Sequence, residues 1–335
     1  MPLSYAGNHF DGAVLPGRPH DGRCTLAAGT EAMRLACTQP AQPQPHRPAC
    51  EILLLISSAA GYERRRRTLR ATFLSLLRPA APNSPLTEQQ RLLVRYRFLL
   101  GAPQTAEQSA ALAAEQAEHG DLLQVAVPES YETLFPKVVA AWRWAVATVD
   151  FRYWVHADDD AFVRLEKLWE WLHSDAAGGA DGLYAGYIWD GSEGRRTKPI
   201  RDPEAKSYMP IEQWPHDAYP PFASGCCFIL SRDLVEWLVE QSPAMTFFRV
   251  IDVPVGVYLA ALPPSRVRIV HVPEIRPYRP LPLFREQTIV QHYMQPEEFK
   301  QYFAHAYERT PRDEKSDEAI AAVYDLFVGA KVLRR

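Results

Sequence analysis

Long apolar runs are missing from this 335-residue chain. Nowhere do about 18 consecutive residues stay apolar, so no membrane span is expected within it. Residues 1–21 are polar and glycine-rich, without the apolar stretch of a signal peptide. A basic excess is missing as well. Lys and Arg number 37 against 40 Asp and Glu, a formal charge of -3, so no nucleic-acid partner is expected. The one dense basic run, Arg64 to Arg67 followed by Arg70, reads by itself as a solvated face. Asparagine is scarce, and neither Asn8 nor Asn83 lies in a glycosylation sequon. The five cysteines form no C-x-x-C pair, which argues against a zinc knuckle. Their odd number leaves at least one thiol free if the rest pair. No internal repeat is visible, and the remaining composition, 47% hydrophobic and 23% charged, is that of a globular protein.

Organisation follows from the punctuation. Pro40, Pro43, Pro45 and Pro48 make residues 1–50 an expected irregular or disordered tail. Residues 51–310 read as one ordered body. Ile52 to Ile56 is a short apolar run that predicts a buried strand. Arg64 to Leu77 predicts a helix, Leu92 to Leu100 a strand, Ala106 to His119 a helix closed by Gly120, and Leu122 to Val127 a strand. A helix begins near Pro136, and Phe151 to Ala157 is the next strand. Alternation of this kind predicts an α/β fold with a mostly parallel central sheet flanked by helices. Ile320, Val323, Tyr324 and Phe327 fall on one helical face, so residues 311–335 are expected to supply a C-terminal helix packed on the body.

In such sheets ligands sit beyond the carboxyl ends of the strands. Asp158-Asp159-Asp160 stands there, directly after Tyr153 to Ala157. Three adjacent carboxylates repel one another unless a cation offsets them. Oxygen donors of this kind suit Mg2+ or Mn2+. A solvated turn, or a cap for a helix over Leu165 to Leu172, accounts for the triplet as well. His156 reads as a core residue.

The residues in and around the triplet carry a resemblance. Arg66 to Phe73 is similar to R-x-x-[IL]-R-x-T-[WF], Glu129 to Lys137 to D-x-Y-x-N-L-x-x-K, and Asp158 to Val163 to D-D-D-x-F-V. Tyr219 to Gly225 follows Y-P-x-Y-x-x-G, Ile251 to Gly256 follows E-D-V-x-x-G, and Ile289 to His292 resembles the late segment that ends in histidine. In this order the segments resemble the β-1,3-galactosyltransferase-like enzymes of glycosyltransferase family 31, relatives of the Fringe glycosyltransferases. Departures fall at Glu129, Thr133, Ile251 and Pro254.

The resemblance implies a GT-A-like fold and an inverting, metal-dependent transfer of a hexose from a UDP-sugar to a hydroxyl of a glycan or glycoprotein. It implies galactose before N-acetylglucosamine, a β-1,3 linkage and the Golgi lumen. Residue by residue, it makes Asp160, Asp158 and His292 the ligands of Mn2+ or Mg2+. Asp158 and Asp159 become donor contacts and Asp252 the general base. A lone late histidine such as His292 otherwise reads as a surface or capping residue, and Asp252 as the N-cap of a helix over Val253 to Ala261. Arg70 and Lys137 are candidate diphosphate or nucleotide contacts, with structural ion pairs the other reading. Trp189, Tyr208, Trp214 and Tyr219 are candidates for an acceptor cleft. The alternative is a catalytically degenerate UDP-sugar- or carbohydrate-binding protein of the same fold. A two-metal phosphohydrolase would need further carboxylate and histidine clusters that the sequence lacks.

Overall fold

A computed structural model describes residues 47–308, apart from residues 80, 82–83, 193–194, 247, 249 and 280–284. The expected tail before residue 47 and the expected helix within 311–335 lie outside the described residues. The ordered body starts slightly earlier than expected, because Ala49 and Cys50 already belong to the first strand.

That strand, β1 (Ala49–Ser57), is apolar because both of its faces are covered. Ile52, Leu54 and Ile56 enter one core with Leu69, Phe73 and Phe98. Leu53 and Leu55 enter the other, with Phe135, Trp142 and Trp154. The period of two along a strand divides them. β1 pairs in parallel with β2 (Val94–Ala102) and β4 (Asp150–Asp158), and β2 pairs in parallel with β3 (Leu122–Pro128). Beyond β4 lie β7 (Phe222–Ser231), β6 (Leu183–Trp189) and β8 (Arg268–His271). β7 runs antiparallel to both of its neighbours, and β6 and β8 are parallel. Among the described residues the main sheet thus has seven strands in the order β3-β2-β1-β4-β7-β6-β8. A small second sheet joins β5 (Phe162–Val163), β10 (Val290–Gln291) and β9 (Ile275–Arg276).

The helices α1 (Glu63–Ala71), α2 (Glu88–Leu92), α3 (Ala106–His119), α4 (Leu134–Thr148), α5 (Leu165–Leu172), α6 (Arg232–Gln241), α7 (Asp252–Leu259) and α8 (Pro296–Tyr307) surround the sheets. The mostly parallel α/β arrangement is the one the sequence predicts. α3 and α5 have the expected bounds, and Gly120 closes α3 in the left-handed region at φ 65°. The helix expected over Arg64 to Leu77 is shorter. At Thr72 the backbone leaves helical space (φ -113°, ψ -119°), and Phe73–Leu77 continues as a 3-10 helix. The Thr72 hydroxyl donates to the Thr68 carbonyl, 2.8 Å away.

Trp142 on α4 and Trp154 on β4 meet edge to face, centroids 6.3 Å apart, and both are fully buried. Burying one indole contributes roughly 4–6 kcal/mol. Neither indole N–H has a hydrogen-bond partner among the described residues, which costs about 1–3 kcal/mol each. Burial wins, so large apolar bodies are tolerated there despite the orphaned donors. No helix among the described residues is long and apolar enough to cross a membrane. Cys50, Cys226 and Cys227 are free and buried.

The same sheet hides an ionic network between α1 and α3. Arg66 grips Glu115 with two hydrogen bonds of 2.8 and 2.6 Å. Arg70 donates to Glu115 at 2.7 Å and grips Asp121 at 2.9 and 2.8 Å. All four side chains are buried. Burial opposes the charge on Glu115, but the two arginines outweigh it and hold its carboxyl below the usual range. Removing one partner of such a set leaves a buried charge uncompensated. Glu115→Ala is therefore expected to lower the stability measured by urea unfolding by about 3 kcal/mol or more. A loss below about 1 kcal/mol, the value of an exposed pair, would contradict a buried network.

Candidate active site

Three carboxylates in a row cannot share one poorly hydrated site, and the backbone turn after β4 separates them. β4 ends at Asp158, in register with Ser57 of β1. The Asp159 N–H donates to the Ser57 carbonyl at 3.1 Å, and Ala161 N–H closes a turn on the Asp158 carbonyl at 3.1 Å. The Asp159 carboxylate points inward. It accepts from the Ser58 hydroxyl at 2.7 Å and from Arg65 at 2.6 Å, and the residue is only 4% exposed. Burial pushes its pKa up to about 6, while Arg65 and Ser58 pull it down. Asp158 and Asp160 stay half-buried and open on the other side.

His292 reaches them through the small sheet. β10 pairs antiparallel with β5, setting Val290 opposite Val163 and Gln291 opposite Phe162. The next residue is His292, and Met294 N–H then donates to the Asp160 carbonyl at 3.0 Å. His292 Nε2 lies 3.1 Å from Asp160 Oδ1 and 3.5 Å from Asp158 Oδ2. One ligand atom from each of the three residues falls within 4.8 Å of the others. Burial works against a charged His292, but the hydrogen bond to Asp160 and the charges of Asp158 and Asp160 raise its pKa above the usual value. Burial likewise opposes charge on Asp160, and His292 and Arg65 overcome it and lower its pKa. Two carboxylate oxygens and one imidazole nitrogen, converging at a half-open edge, form a donor set that fits Mn2+ or Mg2+ and leaves positions for phosphate oxygens.

Asp252 opens α7. It is the first helical residue, preceded by the cap position Ile251, and not the N-cap of a helix starting at Val253. Its Oδ1 accepts from Val253 N–H at 3.0 Å and Oδ2 from Gly225 N–H at 3.4 Å. Two glycines allow this close seating. A Cβ on Gly225 would lie 2.7 Å from Ile251, and one on Gly256 would lie 2.5 Å from the Pro221 carbonyl. Pro254 falls in the first turn of α7, where a missing N–H costs no helical bond. Burial raises the Asp252 pKa; the surrounding N–H groups partly offset this, and the charge of Asp158 adds to it.

The structure therefore brings Asp158, Asp160 and His292 together, with Asp252 in the field of Asp158. Asp159 and Lys137 support this edge from beneath. Lys137 is fully buried on α4, its ammonium 2.9 Å from the Ser58 carbonyl and 2.8 Å from Glu129. Thr133 also departs from the family pattern, and its hydroxyl donates to the Pro128 carbonyl at 2.5 Å. Arg70 is not brought to the cluster, because its guanidinium is committed to Glu115 and Asp121. Of its two readings, the ion pair is the one displayed. Trp214 and Tyr219 are also core rather than cleft, buried with Phe222, Phe248, Val253 and Val257. Trp189 and Tyr208 are half-buried.

Sequence reasoning misses three residues here. Arg65 joins Asp159 at 2.6 Å and lies 3.8 Å from Asp160. The signal was the helical period of the arginine run: Arg66 and Arg70 face the core, Arg64 and Arg67 face solvent, and Arg65 lies between. Tyr293 is half-exposed, takes φ 58°, and stacks on His292 with centroids 3.9 Å apart. Burial raises its pKa, and the charges of Asp160, Cys226, Asp158 and Asp252 add to this. Tyr131 is raised by burial too, against a hydrogen bond with Ser207, and it also senses Asp252 and Asp158. Both phenols therefore lie in the field shared by the cluster and Asp252.

Residues 64–270 match the sequence model of the galactosyltransferase family. Beta-1,3-galactosyltransferase brn of Drosophila melanogaster is 28% identical over 231 residues, 68% of this chain and 65% of that protein. Beta-1,3-galactosyltransferase 6 of Mus musculus is 32% identical over 217 residues, 64% of this chain and 62% of that one. The chain thus spans 62–65% of the length of these two relatives. Among solved structures, an active-site mutant of LgtC aligns with 79% of this chain and 99% of its own, at 14% identity and a TM-score of 0.36.

The division of the triplet is open to titration calorimetry with Mn2+. Asp158→Asn and Asp160→Asn are each expected to weaken Mn2+ binding by roughly 10-fold or more, since even the loss of a group that supports a ligand costs that much. Asp159→Asn is expected to lower the melting temperature while changing Mn2+ affinity less than either neighbour. A larger affinity loss at Asp159 than at Asp160 would contradict the assignment.

Proposed function

The chain belongs to the galactosyltransferase family, and from that premise we propose that it is an inverting hexosyltransferase that moves a sugar from a UDP-sugar to a hydroxyl of a glycan or glycoprotein. The observation that carries this reading is the Asp158, Asp160 and His292 cluster at the carboxyl edge of β4, with the Asp252 carboxylate in the field of Asp158. The two relatives named above are both β-1,3-galactosyltransferases by name. That supports galactose as the transferred sugar, ahead of N-acetylglucosamine, and a β-1,3 linkage. We assign the reaction to the Golgi lumen on the family resemblance alone.

Asp158, Asp160 and His292 would hold a divalent ion, Mn2+ before Mg2+. Bound there, the ion supplies positive charge against the diphosphate leaving group. Single displacement with inversion needs the acceptor hydroxyl held in line behind the anomeric carbon and a base to take its proton. Asp252 takes that role. Its Gly225 and Val253 N–H contacts fix the carboxylate at the start of α7, so it waits in position without reorganisation. Burial keeps its proton affinity above that of a solvated carboxylate, which favours accepting a proton as the new bond forms. Asp159 and Lys137 hold Ser58 in place, Asp159 by accepting from its hydroxyl and Lys137 by donating to its carbonyl.

The reaction is tested by measuring UDP release from UDP-galactose, UDP-N-acetylglucosamine and UDP-glucose over a panel of sugar acceptors, with Mn2+ and with chelator. Release is expected from UDP-galactose with Mn2+ only. Asp252→Asn is expected to lower turnover by roughly 100-fold or more, the usual contribution of a positioned base, with UDP affinity little changed. Full turnover in that variant would remove Asp252 from the mechanism.

The pH profile gives an independent check. The base works ionised, and its pKa is raised, so kcat/KM is expected to fall as pH drops through a midpoint above the ordinary Asp value of about 3.9. Activity undiminished down to pH near 4 would contradict a buried carboxylate base.

A further inference from the structure

His156 is fully buried on β4, yet neither ring nitrogen has a hydrogen-bond partner among the described residues. Its ring stacks on Phe228 of β7, centroids 4.7 Å apart and planes 10° apart. That stack fixes the plane of the imidazole and explains its apolar side. It does not explain the nitrogens, since phenylalanine would fill the same space without stranding two polar atoms in a dry core. One neighbouring polar group is the carboxylate of Asp158, two residues on and on the same side of the strand. Nε2 stands 3.7 Å from Asp158 Oδ1, just beyond hydrogen-bond range. The other oxygen of that carboxylate, Oδ2, is the one 3.5 Å from His292.

The two oxygens of Asp158 therefore face different histidines. Oδ2 belongs to the open cluster and Oδ1 to the buried side, where His156 is held rigid between the strands. Carboxylates that ligate metals are commonly fixed by a hydrogen bond to the oxygen that does not ligate. We infer that His156 is the positioning residue for Asp158, its Nε2–H serving as the donor that orients the carboxylate toward the cation site. This rests on the reading that Asp158 holds a divalent ion. An imidazole carrying a hydrogen on Nε2 has the donor this role requires, and a closing movement of roughly 0.5 Å would bring it within range. Arg65 and Ser58 act on Asp159 instead, so the two neighbouring aspartates have separate supports.

Three variants separate positioning from filling. His156→Phe keeps the ring stacked on Phe228 and removes the donor. His156→Gln places an amide N–H near the position of Nε2, and His156→Asn places one near Nδ1 instead. Mn2+ affinity is measured by calorimetry or by the Mn2+ electron paramagnetic resonance signal, and melting temperature is followed without metal. His156→Phe is expected to melt at the wild-type temperature or above and to bind Mn2+ roughly 10-fold more weakly, the lower end of such effects. His156→Gln is expected to bind within a few-fold of wild type, and His156→Asn as weakly as the phenylalanine variant. Wild-type Mn2+ affinity in a folded His156→Phe protein would overturn the inference. Should that variant not fold, equal affinities for the glutamine and asparagine variants would overturn it in its place. A wild-type protein that takes up no Mn2+ would instead overturn the cation reading beneath it, a separate result from equal binding across the series.

Discussion

Adjacent carboxylates at the end of a buried strand repel one another more strongly as water is excluded, and the site's architecture follows from how that repulsion is relieved. Asp159 is turned inward and balanced by Arg65 and Ser58. Asp158 and Asp160 are left half-buried, with His292 between them and Arg65 3.8 Å from Asp160. One imidazole does not neutralise two carboxylates. The remaining negative charge, held in place by the sheet, is what the proposed divalent ion would offset at this edge.

The partners come from far apart in the chain, so tertiary pairing must deliver them. The short β5–β10 ladder sets the register that carries His292 to Asp160. On the other side, β7 runs antiparallel beside β4, and Gly225 and Gly256 let α7 sit close enough for Asp252 to bond the β7 backbone. Beneath them, Lys137 ties α4 to the end of β1 through the Ser58 carbonyl and Glu129. The candidate site residues thus lie at the ends of β4 and β10 and at the start of α7, while Asp159 and Lys137 beside them are buried. Tyr293, at φ 58° beside His292, carries the kind of backbone strain that clusters at functional sites.

Much of this was legible in the sequence because it is local. The apolar run of β1, the bounds of α3 with Gly120 at its end, and the triplet at the close of β4 follow from residue type and spacing. Ordered motifs then pointed to His292 and Asp252, which spacing alone reads as a surface residue and a cap. What stayed hidden depends on partners distant in sequence. An arginine run does not say that Arg66 and Arg70 share Glu115 in the core, so Arg70 looked as suited to phosphate as to an ion pair. Trp214 and Tyr219 looked like cleft aromatics because nothing local shows that Phe248 and Val257 cover them. The triplet itself does not reveal that its middle member turns away, since that choice is made by Ser58 and Arg65.

The most direct test of the central claim is a crystal structure with Mn2+ and UDP, read by anomalous diffraction at the manganese edge. A peak within coordination distance of Asp158, Asp160 and His292, with the diphosphate on its open side and Asp159 still bonded to Arg65, is the predicted result. A peak coordinated by Asp159, or a UDP bound away from the carboxyl edge of β4, would contradict the account.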